Sequence, residues 1–117
     1  MSAATDLIVR YYDAIERRDL EAVLATTHPS VRFRDFLDGG EVEGLDAARD
    51  FYRRMFELAP DLDPIKIETL PGGKVRVEFQ SSIHSSSGHL WSDTRQAAIY
   101  TLADGLIQGV ELLGPTS

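Results

Sequence analysis

The 117-residue sequence predicts one α+β domain, 1–117, in which a curved antiparallel sheet wraps over three N-terminal helices and encloses an apolar pocket. Three observations predict it. Apolar residues recur at helical spacing as far as Ala59, broken by one short strand, and the period changes to alternation from Asp61 onward. The alternating runs are punctuated by turn signals at 71–73, 85–88 and 103–105. A composition of 43% hydrophobic and 26% charged residues suits a single compact core at this length.

The elements follow in order. Leu7, Ile8, Tyr11, Ala14 and Ile15 make the buried stripe of a first helix capped by Thr5 or Asp6, with Asp13, Glu16, Arg17 and Arg18 opposite. Asp19 caps a short second helix carrying Leu20, Val23 and Leu24, and Pro29 closes that segment before a strand at Val31. Asp38-Gly39-Gly40 is a turn or loop. A third helix runs from Gly44 to Pro60 and buries Leu45, Ala48, Phe51, Tyr52, Met55, Phe56 and Ala59. Ile65 and Ile67 belong to the next strand. Val75, Val77, Phe79, Ser81 and Ile83 face inward from the one after it. A long strand spans about Leu90 to Leu102, and the last carries Leu106, Val110 and Leu112.

In Ser30-Val31-Arg32-Phe33-Arg34-Asp35-Phe36, alternation puts Val31, Phe33 and Asp35 on one face and the two arginines on the other. A carboxylate therefore ends an apolar face. The inner side of the sheet should hold it together with Tyr11, Phe51, Met55, Phe79, Ser81, Ile83, Ala98, Tyr100, Val110 and Leu112, a lining suited to a small apolar molecule. Proton removal beside a carbonyl needs a base in an apolar site and a donor aimed at the oxygen that gains charge. Asp35 and Tyr11 are one of each, and burial should make Asp35 a stronger base. Two plainer readings stand beside these. Asp35 serves as a turn cap or pairs with an arginine such as Arg34 or Arg49, and Tyr11 is a core aromatic.

Other classes are disfavoured. Nineteen acidic against 12 basic residues, a net charge of −7, argue against nucleic acid as a partner. The absence of cysteine removes disulfides, thiolate nucleophiles and cysteine-ligated metals, in keeping with a reducing cytoplasm. His28, before Pro29, reads as structural, and His84 and His89, flanking the serine turn, lack a third ligand at suitable spacing, so neither metal nor cofactor is expected. The opening Met-Ser-Ala-Ala-Thr-Asp has no leader pattern and no apolar run approaches a membrane span; a soluble cytoplasmic protein with no membrane partner is the expectation.

Specific residues carry a resemblance. Arg10-Tyr11, Asp19-Leu20, Val31 to Asp35, Gly44 followed by Ala47, Ala48 and Phe51-Tyr52, and Asp104-Gly105-Leu106-Ile107 resemble the nuclear-transport-factor-two-like superfamily, within it the SnoaL-like proteins and ketosteroid isomerase. The resemblance implies the cone-shaped sheet of that superfamily, with Asp35 in register with the isomerase's proton-shuttling base and Tyr11 with the phenol that bonds the enolate oxygen. The isomerase's second donor, a protonated aspartate, has Ala98 at its position, or Gln96 if the register slips by two. A cofactor-independent isomerase acting on an apolar small molecule is the reading that follows. A polyketide cyclase of the SnoaL type, an epoxide hydrolase of the limonene type using Asp93 and Arg95, and a non-catalytic ligand-binding module are the alternatives. The outer face bearing Trp91 and Ile99 is expected to join two copies as a homodimer.

Overall fold

The computed structural model describes residues 3–35, 39–57, 61–84 and 90–115, with the backbone alone for 83, 84, 90–93 and 115. The expected end of the third helix at Ala59 and Pro60, the serine turn, His89 and the side chains of Ile83, His84, Trp91 and Asp93 lie outside the described residues.

Helix α1, Ala3–Glu16, buries Leu7, Ile8, Tyr11, Tyr12, Ala14 and Ile15. It starts before the expected caps. Ala3 and Ala4 are strong helix formers, and Asp6, inside the first turn, suits the positive end of the helix rather than capping it. Asp19 does cap α2, Leu20–Ala25, its Oδ1 accepting the Ala22 N–H at 3.1 Å. Strand β1, Thr27–Arg34, includes Pro29 instead of following it. Its pairing with the last strand shifts register between Thr27 and Arg32, so the residue without an N–H falls where the ladder is interrupted. Strand β2, Glu41–Glu43, was not signalled, since three residues are too few to show a period. Gly44, at φ 83°, turns the chain into α3, Gly44–Glu57, which buries Ala48, Phe51, Tyr52 and Met55.

Four strands complete the sheet: β3 (Asp61–Leu70), β4 (Lys74–His84), β5 (Leu90–Ala103) and β6 (Leu106–Pro115). Their order is β2-β1-β6-β5-β4-β3, antiparallel throughout except for the parallel pair β1 and β6. Val75, Val77 and Phe79 are buried as alternation predicts. Asp104 and Gly105, both at positive φ, make the tight hairpin between β5 and β6. Helix α3 packs on β1 and β2 and α1 on β3, so the helices fill the hollow of the curved sheet.

Matched residues set a row across the inner face. Val42, Phe33, Val110, Tyr100 and Val75 stand opposite one another on consecutive strands, and all but the half-buried Val110 are buried. On the outer face Ile99 is half-buried. Among the described residues no helix is long and apolar enough to cross a membrane.

Candidate functional site

Alternation along β1 continues one residue beyond the strand. Val31 and Phe33 are buried, Arg32 and Arg34 are exposed, and Asp35 is only 6% exposed. Arg32 spends its charge on the solvent side, against Glu41 at 2.8 Å and Glu43 at 3.3 Å. The Asp35 backbone is fixed by two hydrogen bonds: its N–H donates to the Gly40 carbonyl at 2.9 Å, and its carbonyl accepts the Gly39 N–H at 2.8 Å. Both glycines sit at positive φ, which lets the backbone fold back against Asp35.

Arg54 of α3 meets the Asp35 carboxylate, Nη2 to Oδ2 at 2.9 Å. Its Nε binds Asp50 Oδ2 one helical turn earlier at 3.2 Å, and its guanidinium carbon lies 5.8 Å from the centre of the Phe51 ring. Burying a carboxylate is costly, and a hydrogen-bonded guanidinium offsets that cost. Pairing with an arginine was among the plainer readings of Asp35, but the partner is neither Arg34 nor Arg49. Arg34 is exposed, and Arg49 pairs with Glu21.

Beside Asp35 opens a cleft of about 550 Å³ walled by Arg34, Asp35, Gly39, Val110, Glu111 and Leu112. Asp35, Val110 and Leu112 thus share a space, with Leu112 at its exposed rim. Tyr11, Phe51, Met55, Phe79, Ala98 and Tyr100 are buried in the adjoining core, and Ser81 and Gln96 are half-buried. Ala98 stands opposite Leu112 and offers no donor.

The chain's four tyrosines form one buried cluster. The Tyr11 and Tyr52 hydroxyls are 2.7 Å apart and those of Tyr12 and Tyr100 2.8 Å, while the Tyr11 ring packs edge-on against Tyr12, Tyr52 and Tyr100. Burial pushes Tyr11 up to about 12, with hydrogen bonds from Tyr52 and Tyr100 opposing the rise. Burial holds Tyr12 higher still, and Tyr52 and Tyr100 well above the ordinary phenol value. Each hydroxyl of the two pairs has a hydroxyl partner, and either member of a pair can donate. The cluster and the cleft flank the same strand pair: Tyr100 faces Val110, and Val110 lines the cleft.

Sequence reasoning passed over Arg54, Tyr12 and the pairing role of Tyr52. A signal existed for Arg54, which lies three residues after Phe51 and four after Asp50, on the flank of the buried stripe.

Comparison with known proteins agrees with this architecture. The SnoaL-like domain pattern matches residues 8–110. An NTF2-like protein of unknown function from Burkholderia pseudomallei superposes with a TM-score of 0.81 at 23% identity, over 96% of this chain and 90% of that one. A Sinorhizobium meliloti protein provisionally named a polyketide cyclase gives 0.78 at 21% identity, over 96% and 99%. A Mycobacterium tuberculosis protein crystallised with estradiol-17β-hemisuccinate gives 0.83 at 15% identity, over 97% and 95%. No curated protein matches the sequence.

Proposed function

The chain belongs to the SnoaL-like domain family, and from that premise we propose that it is an enzyme that moves a proton at the carbon beside a carbonyl of an apolar small molecule, without a cofactor. One observation carries the reading: a carboxylate, Asp35, buried in the wall of a cleft of about 550 Å³. In the proposed reaction an Asp35 oxygen takes the proton, the C–H electron pair moves into the carbonyl as an enolate, and the Tyr11 hydroxyl hydrogen-bonds the oxygen that gains charge. The Tyr11 proton is available to that oxygen when Tyr52 acts as the donor of the pair, a direction that the 2.7 Å contact permits. The carbonyl end of the substrate enters past Val110, which stands between the cleft and Tyr100. Phe51, Met55, Phe79, Ser81 and Gln96 complete the proposed surroundings.

Return of the proton to another carbon is isomerisation. Attack of the same enolate on a second carbonyl is ring closure, the second reading, favoured by the name of the Sinorhizobium neighbour. The steroid ester bound by the mycobacterial neighbour favours a flat apolar molecule as substrate.

The test is uptake of solvent deuterium beside the carbonyl of hydrophobic ketones, among them a β,γ-unsaturated ketosteroid. The parent protein is expected to catalyse exchange, and Asp35→Asn to bind the ketone without exchanging it. Binding without exchange by the parent makes the cleft a receptor pocket and ends the enzyme reading, whereas equal exchange by both proteins removes Asp35 as the base.

A further inference from the structure

Arg54 is held from more than one side. Separate nitrogens bind two carboxylates, the Asp35 side chain at 9% exposure and the Asp50 side chain at 66%, and the guanidinium lies near the Phe51 ring. Arg54 itself is 31% exposed, so solvent screens its contact with Asp35 only in part. The charged groups set around Asp35 among the described residues come from three elements: Arg54 and Asp50 from α3, the exposed Arg34 from its own strand, and the exposed Glu111 across the cleft from β6. Arg54 is in direct contact.

From this geometry we propose that Arg54 is a positioning residue: it keeps Asp35 ionised before reaction, aims the carboxylate, and drives off the proton that Asp35 has taken. The chemistry follows from the ion pair. When a C–H proton moves to Asp35, the electron pair stays with the substrate as enolate and the guanidinium is left facing a neutral acid, having lost its strongest attraction. Returning the proton to the substrate restores the pair. Arg54 therefore weakens Asp35 as a base in the first step and speeds the second. The catalytic consequence rests on the proton transfer proposed above; the coupling of Arg54 to the ionisation of Asp35 does not.

The experiment follows the Asp35 side-chain carboxyl by carbon-13 NMR as pH is varied, with no ligand present. In Arg54→Met the titration midpoint is expected to rise by about one to three pH units, and in Arg54→Lys to return toward the parent value, because the ammonium restores the charge but not the fork. Should Arg54→Met fail to fold, Arg54→Gln, neutral but polar at its end, carries the same expectation. A midpoint within a few tenths of the parent's in the neutral variant overturns the proposal, as does a lysine variant no closer to the parent than the neutral one. In the deuterium-exchange assay the acid limb of kcat/KM should move upward with the carboxyl midpoint; an acid limb that stays put while the carboxyl moves overturns the catalytic role. An Asp35→Asn variant that exchanges deuterium as fast as the parent would remove Asp35 as the base and leave the ionic coupling standing, so the two failures are distinguishable.

Discussion

Two polar regions share the inner face of the sheet, and they are satisfied in opposite ways. At the cleft, the Asp35 carboxylate is balanced by a charge on another element, Arg54, and borders an open space. Behind the Val110 and Tyr100 pair, the tyrosine hydroxyls are balanced by one another and closed from water. The first arrangement changes its energy when a proton or a molecule arrives. The second resists change, since each hydroxyl removed strands its partner in the core. The two regions adjoin at the Tyr100 and Val110 pair, Val110 lining the cleft and Tyr100 belonging to the cluster.

The sharpest way to break this comparison is Asp35→Asn. It should lower ketone turnover by roughly two to four orders of magnitude while leaving the fold intact, since the amide is close to isosteric. Turnover and thermal unfolding measured on the same preparation check both halves, and a variant that unfolds instead would make Asp35 a structural group. Tyr11→Phe ranks next. Loss of one preorganised donor should cost about 3 kcal/mol of activation energy, read as kcat/KM, with little change in ketone binding. Equal turnover would leave Tyr11 inside the closed cluster and outside the reaction.

A smaller effect tests closure itself. Tyr12→Phe should destabilise the fold by about 1–3 kcal/mol, because the Tyr100 hydroxyl loses its partner, whereas Tyr12→Phe with Tyr100→Phe should recover most of that loss. Denaturant unfolding of the two singles and the double supplies the cycle, and strict additivity would mean that the hydroxyls do not depend on each other. Alkaline pH gives the gentlest probe. Tyr11 is raised from 10 to about 12, so above pH 10 the unfolded chain releases protons that the folded chain keeps. Stability should be complete below pH 10 and fall as pH climbs from 10 toward 12. Tyrosinate absorbance should then appear together with unfolding, and its appearance near pH 10 in a folded protein would open the cluster to solvent.

Much of the cleft side was legible in the sequence because it rests on local rules. Strict alternation from Val31 onward turned Asp35 inward, and Asp19 beside an apolar stripe announced α2. Arg54 escaped because its partner is 19 residues away on another element, while its other partner, Asp50, makes it look like an ordinary surface pair at helical spacing. Tyr12 and Tyr100 meet only after the sheet has curved over α1, at a separation of 88 residues that no local period reveals. Pro29 misled for a related reason: its exclusion from a strand holds for a regular ladder, and the interruption that admits it depends on β6.

The parallel pairing of β1 with β6 has a consequence on the ribosome. Phe33 faces Val110, about eighty residues later in the chain. At about 5–20 residues per second, β1 waits roughly 4 to 16 seconds for that neighbour to be synthesised. Until then β2 covers one of its edges, and the other, with Val31 and Phe33 beside it, is open to any strand that passes. The segment that places the proposed base is thus one that a nascent chain leaves with an open edge for most of its synthesis, and a chaperone that shields residues 27–34 would protect it until β6 arrives.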